Sequence, residues 1–168
     1  IHSMSTQIGD FENMEEICAT NFKNRIEQTN VKQVIYLSGI SNADELSKHL
    51  SSRKHVETVL SGSDFALTTL KAGIIVGSGS ASFEIIRDLV EKLPFMIAPR
   101  WLKTKCQPIA IRNVVEFLIG VIGKTETYNN SYDIGGPDIL SYKDMLLRFA
   151  KIRGLKRRIV IVPVMTPN

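Results

Sequence analysis

Cysteine is scarce in this chain, with Cys18 and Cys106 the only two in 168 residues. No CxxC pair and no Cys/His spacing suited to a metal occurs, so neither a disulfide framework nor a metal site is expected. Two reduced thiols in a cytoplasmic protein are the plain reading. Histidine is rare too, at His2, His49 and His55. Long apolar runs are missing. None approaches the ~18–20 residues that span a bilayer, so no membrane partner is expected. No signal peptide is visible. An excess of one charge is also missing. The 21 basic and 17 acidic residues leave a net +4, which is not a nucleic-acid signature by itself, and no nucleic-acid partner is expected. The one dense basic run, Lys151, Arg153, Lys156, Arg157 and Arg158, follows a helical pattern. Cations suit a helix C-terminus, and a phosphate-binding patch is the alternative. Repeats and low-complexity tracts are absent. The chain opens Ile1-His2-Ser3-Met4 without an initiating methionine, and is expected to be a piece of a longer protein.

What is present suffices for one domain, residues 1–168, with a real core. Hydrophobic residues make up 43% and charged residues 23%, as in an ordinary globular protein. Met14, Ile17, Cys18, Phe22 and Ile26 fall at helical spacing, predicting a helix over Met14–Gln28. Helices are also predicted over Asp44–Leu60, Phe83–Leu93, Ile111–Ile122 and Ser141–Ile152. In the fourth, Val114, Val115, Leu118, Ile119 and Ile122 should face inward. In the fifth, Ser141 is the N-cap and Asp144 fills the capping-box position. β-branched, apolar runs predict strands at Val31–Leu37, Ala66–Val76, Gln107–Ile109, Tyr132–Ile134 and Ile159–Val164. Strands alternate with helices, which implies βαβ units and a mostly parallel sheet. Ligands on such sheets bind at the carboxyl ends of strands. That singles out the loops at 38–41, 71–82 and 135–138.

Gly77-Ser78-Gly79-Ser80-Ala81-Ser82 follows a strand and opens a helix. It approaches G-x-G-x-x-G with Ser in the third glycine place, a loop that can present N–H groups to a phosphate. No strand ending in Asp or Glu follows within ~20 residues to hold a ribose. A helix N-cap beside a substrate cleft is the competing reading, with Gly77, Ser78 and Ser80 on the substrate side. A Walker loop is excluded, since no Gly-Lys-Ser/Thr follows. His49 and Arg53 stand four residues apart and so share a helix face. His49 suits a general acid or base and Arg53 an anion clamp; a polar solvated face is the alternative. Arg100, with Trp101, Lys103 and Lys105, suits either an anionic substrate or an ordinary surface loop.

Several runs carry a family resemblance. They are Ile1-His2-Ser3-Met4-Ser5, then Asn21 on a helix, then Val31-Lys32-Gln33-Val34-Ile35-Tyr36-Leu37-Ser38. Leu70 to Gly77, Gln107 to Val114 and Tyr132 to Ser141 follow. Together the chain resembles the later part of an atypical, extended-type short-chain dehydrogenase/reductase, near the NmrA-like and sugar-nucleotide-epimerase branches. The resemblance implies an α/β fold: a partial Rossmann-type, doubly wound, mostly parallel sheet with a small substrate-side portion. It implies NAD or NADP in the intact protein, with contacts from Ser3, Met4, Leu37, Ser38, Lys71, Ala72 and Gly73. It implies a small-molecule substrate, met partly by Gln107, and an active-site role for Asn21.

The departures carry as much information. The family's Gly-rich loop has no counterpart here, so this piece alone is expected not to bind the dinucleotide. The family's Tyr-x-x-x-Lys becomes His49-x-x-x-Arg53, with Glu57 in the expected downstream place, and its catalytic Ser/Thr position falls on Gly39. Either an oxidoreductase or epimerase with altered chemistry, or a non-catalytic NmrA-like sensing or protein-binding module, is implied. An incomplete sheet would expose an apolar face, so self-association is expected.

Overall fold

The structure is a computed structural model that describes residues 11–40 and 48–163, with backbone alone at 11–12 and 48–50. Ser3 and Met4 lie outside the described residues. The chain divides into two units, Ile1–Ala72 with Glu116–Ile134, and Gly73–Val115 with Gly135–Asn168.

The first unit is built on three parallel strands in the order β1-β2-β7: β1 (Gln33–Gly39), β2 (Ala66–Ala72) and β7 (Asn130–Ile134). Helix α1 (Phe11–Glu27) precedes β1, and α2 (Lys48–Leu60) forms the crossover from β1 to β2. Side chains alternate across a strand. Val34 and Tyr36 therefore join Leu67 on one face, packing with Ala19, Val56, Leu60 and Phe65 into a core under α1 and α2. On the other face Gln33 ties the sheet to the segment at 121–123. Its Nε2 donates to Thr68 Oγ1 at 2.9 Å and to the Val121 carbonyl at 2.9 Å, and its Oε1 accepts from Gly123 N at 2.8 Å. Thr68, wholly buried, donates in turn to the Thr127 carbonyl at 3.0 Å. The register places Ser38 opposite Lys71 and Lys71 opposite Asp133.

The second unit packs α3 (Ala81–Lys92) against α5 (Tyr142–Ile152), over the parallel pair β4 (Phe95–Pro99) and β9 (Arg158–Val162). Val90, Met96, Ala98, Leu102, Leu146, Ala150 and Ile159 form its core. Phe83 meets Phe149 edge-on, centroids 5.5 Å apart. Two short pairs complete it: β3 (Ile75–Val76) with β6 (Ile109–Ala110), parallel, and β5 (Lys105–Cys106) with β8 (Leu140–Ser141), antiparallel. The capping box at Ser141 and Asp144 is formed. Of the basic run, Arg157 closes the C-terminus of α3 by donating to the Val90 and Glu91 carbonyls at 2.5 and 3.2 Å. Arg153 pairs with Glu91 at 3.0 Å.

The α/β, Rossmann-type architecture agrees with the expectation from the sequence. Four local expectations need correction. The strand expected over Ala66–Val76 is two strands in different units, broken at Gly73-Ile74. Helix α4 (Ile111–Gly120) buries Val114 completely, but Val115, Ile119 and Ile122 are exposed, Ile119 by 64%. Its apolar stripe is wider than the surface the described residues offer it. The strand β4 was not anticipated, because Pro94 and Pro99 bracket it. Proline is tolerated at strand edges, and the alternation of outward Phe95 and Ile97 with inward Met96 and Ala98 was the available signal. The strand expected at Gln107–Ile109 falls instead at Ile109–Ala110, after β5.

Candidate functional site

In the first unit, polar side chains gather at the carboxyl ends of β1 and β2, on the side facing α2. Ser38, Gly39, Lys54, Glu57, Thr58 and Lys71 line a cavity of about 360 Å³. Ser38 and Tyr36 share a face of β1, and Lys71 shares one with Thr69 on β2, because strand periodicity is two. Ser38 is buried, at 6% exposure. Glu57, on α2, is the hub. Its carboxylate pairs with Lys71 Nζ at 3.2 Å and accepts from Ser131 Oγ, on β7, at 2.7 Å. Two strands, β2 and β7, thus meet helix α2 at one carboxylate.

Arg53 lies one turn before Glu57 on the same face of α2, and the backbone of His49 lies one turn earlier still. The His49 side chain is outside the described residues. Beside Arg53 stands Tyr36, whose hydroxyl donates to the Arg53 carbonyl over 3.5 Å, a marginal bond. Burial pushes the Tyr36 phenol up, against the opposing pulls of the Ser38 hydrogen bond and the Arg53 charge. Tyr36 is therefore a neutral hydroxyl at pH 7, packed in the core under α1 and α2. Behind it, the Ser52 hydroxyl donates to the buried Glu15 carboxylate and locks α2 to α1.

Several candidates from the sequence do not meet at this cavity. Asn21 is exposed on α1 and does not line it. Leu37 points to the opposite face of β1, in register with the buried Leu70. Ala72 is buried and its carbonyl accepts from Ile40 N at 3.1 Å, closing the end of β2. Gly73 begins the other unit. Ser131 and the Glu15–Ser52 pair escaped sequence reasoning. A lone Ser in a polar turn carries no signal, and a buried Glu on a predicted amphipathic helix reads as a surface residue.

In the second unit, Ser80 is the N-cap of α3. Its hydroxyl accepts from Phe83 N at 3.5 Å and donates to the Ile75 carbonyl at 2.6 Å, so it is committed to its own turn. A side chain at Gly77 would strike Ile111. Ser78 and Arg100 are exposed. Gln107 Nε2 donates to the Gly136 carbonyl at 2.5 Å, and Gly136 N to the Pro108 carbonyl at 3.1 Å. This clamp joins the loop at 135–137 to the strand entry at 107–108. Beside α3, the short 3-10 turn Arg100–Lys103 and α5 enclose an apolar cleft of about 500 Å³. Arg100 and Lys103 are not among its lining residues; Trp101 and Leu102 are.

No family model matches the sequence, and no curated protein matches it. Solved structures do. The UDP-glucuronic acid 4-epimerase from Bacillus cereus, in complex with UDP-glucuronic acid and NAD, is similar at TM-score 0.73 and 12% identity, over 96% of this chain and 58% of that one. The UDP-N-acetylglucosamine 4-epimerase from Bacillus cereus is similar at TM-score 0.70 and 14% identity, over 100% of this chain and 67% of that one. A dTDP-4-dehydrorhamnose reductase from Clostridium acetobutylicum is similar at TM-score 0.70 and 10% identity, over 94% of this chain and 62% of that one. The fold is therefore the Rossmann-type fold of these epimerases and reductases. The chain spans about 60% of the length of the first of these structures.

Ser38, Glu57 and Lys71 offer the mixed donors and acceptors that ribose hydroxyls need. A pyrophosphate needs a glycine turn with free N–H groups at a helix start. The one such turn among the described residues, at 77–82, has its cap hydroxyl committed and Gly77 pressed against Ile111.

Proposed function

We propose that this chain forms part of an NAD(P)-dependent oxidoreductase, or nucleoside-diphosphate-sugar epimerase-like protein, of the atypical short-chain dehydrogenase/reductase type. One observation carries the reading. A buried Ser38 hydroxyl, Lys54 and the Glu57–Lys71 pair sit together at the carboxyl ends of adjacent parallel strands, where ligands of such sheets bind. When bound, the cofactor supplies hydride transfer. Glu57 and Ser38 would hold ribose hydroxyls, with Ser3, Met4, Leu37, Lys71, Ala72 and Gly73 as the remaining contacts implied by the resemblance. Arg53, always charged, would orient the ribose. His49 would give a proton to the substrate oxygen, its reference pKa of ~6.5 suiting it to either direction of transfer. The substrate is a small molecule. The two free cysteines, Cys18 and Cys106, support a cytoplasmic setting.

Titration of the native, full-length gene product with NADH and NADPH, followed by fluorescence, tests this reading. Micromolar binding of either is expected, weakened at least about tenfold by Arg53→Ala. No binding of either overturns it. A second reading, a non-catalytic nucleotide-sensing or protein-binding module, is favoured by one specific feature: Gly39 offers no hydroxyl and His49-x-x-x-Arg53 replaces Tyr-x-x-x-Lys. His49→Ala separates the two. Turnover lost with binding intact supports the enzyme; no turnover in either form supports the module. Self-association is proposed from the exposed Phe117, Ile119 and Ile122. A clean monomer in light scattering would refute it.

A further inference from the structure

The apolar cleft of the second unit differs in kind from the cavity of the first. Ile85, Ile86 and Leu89 form one wall, from α3. Trp101 and Leu102 form another, and Tyr142 and Leu146 of α5 close it. Among the described residues no charged side chain lines it. Its described lining side chains that carry polar atoms are Ser82, Thr104 and Tyr142, with hydroxyls, and Trp101, with an indole N–H. Trp101 and Tyr142 meet edge-on, with centroids 5.8 Å apart and planes at 86°, which leaves an aromatic corner in the wall. Burial, with a smaller push from Cys106, raises the Tyr142 phenol, so it remains a donor at neutral pH.

We infer that this cleft is a binding site for an uncharged, largely apolar small molecule, planar over part of its length and carrying one hydrogen-bonding group. Three physical points support it. At about 500 Å³ the cleft is the size of a small-ligand pocket. A diphosphate placed there would lose its hydration without meeting a cation, a cost of several kcal/mol per charge. An apolar ring instead gains ~25 cal/mol for each Å² removed from water and packs edge-on against Trp101. The ligand class thus separates this chain from the UDP-sugar complex it resembles in fold. The inference concerns the second unit alone and does not depend on dinucleotide binding in the first, so either can fail without the other.

Trp101 is the only tryptophan in the chain, and it stands in the wall. The test titrates the full chain with N-phenyl-1-naphthylamine, a neutral aromatic amine, and follows quenching of Trp101 with transfer to the dye. Expected is saturable binding of one dye per chain, undisturbed by excess UDP-glucuronic acid. Ile85→Lys, at a residue 61% exposed whose replacement spares the core, should weaken binding about tenfold or more. Ile139→Lys, at a residue 66% exposed outside the cleft, should leave it unchanged, with circular dichroism confirming that both variants fold. Non-saturable quenching, equal losses in the two variants, or displacement by UDP-glucuronic acid would each overturn the proposal.

Discussion

The Gln33 side chain ties β1 to β2 and to the segment at 121–123, and replacing that residue should show what the tie contributes. Gln33→Ala removes donations to Thr68 Oγ1 and to the Val121 carbonyl, both at 2.9 Å and partly buried, and the acceptance from Gly123 N at 2.8 Å. A neutral hydrogen bond contributes ~0.5–1.5 kcal/mol net. The Gly123 N–H is at the surface, where water replaces the lost partner, so its share is small. Thr68 is wholly buried and Val121 half-buried, so water replaces less of what they lose. The expected loss is about 2 kcal/mol, or roughly 4–8 °C in Tm for a chain of this size. Thr68→Val keeps the shape and removes the shared hydroxyl, with an expected loss of ~1–2 kcal/mol. The two changes share one bond, so the double variant should lose about 1 kcal/mol less than the sum. Urea unfolding followed by far-UV circular dichroism measures all three. A coupling below ~0.3 kcal/mol would refute the role given to Gln33.

At the start of α5, Ser141→Ala should cost about 1 kcal/mol by leaving the Asp144 N–H without its cap. The Ser141 hydroxyl, and after it the Ser141 N–H, hold the Asp144 carboxyl below the usual carboxylate range. A folded-state value below the unfolded one adds stability that is complete above the unfolded pKa, ~3.9, and is lost as pH falls through the folded value. The stability gap between the native chain and Asp144→Asn should therefore narrow as pH falls below about 4; a gap that widens contradicts the cap. In the second unit, Gly136→Ala would drive its Cβ into the Pro108 carbonyl, a backbone atom that cannot swing aside. A loss of about 1–3 kcal/mol is expected. Gly120→Ala, at the end of α4 with open space around it, should be neutral or slightly stabilising. Equal effects at the two glycines would contradict the close approach.

The fold was legible wherever one local rule acted alone. The β-branched run before Ser38 marked a strand, though β1 is half-buried rather than buried, and Ser141-x-x-Asp144 marked its helix start without tertiary help. Legibility failed where tertiary packing decided. Ile75 and Val76 continue the apolar pattern of β2, and only their pairing with Ile109 and Ala110 shows that they belong to another sheet. The stripe on α4 announced five inward residues, yet periodicity reports which side is apolar and not how much surface is available to cover it. At the site, His49 and Arg53 stood out because a family pattern placed them. Ser131 comes to Glu57 across 74 residues of sequence, a closeness that no spacing rule could supply.

The position of the hydroxyl bears on how far the chemistry departs from the family. The resemblance sets the catalytic Ser/Thr on Gly39, which has nothing to offer, and that alone argues for a lost reaction. One residue earlier, Ser38 lines the cavity with Lys54, Glu57 and Lys71. A shift of one residue normally turns a side chain to the opposite face of a strand. Ser38 therefore faces α2, the side on which Glu57 and Arg53 lie. Arg53 cannot give up its proton, so it can hold a hydroxyl or an anion but cannot join a proton relay. Tyr36, close to Arg53, is held neutral by burial rather than tuned toward ionisation. In this unit the described groups are thus suited to binding and orienting. Under the proposed function, any acid–base step is left to His49, whose reference pKa lies near neutrality.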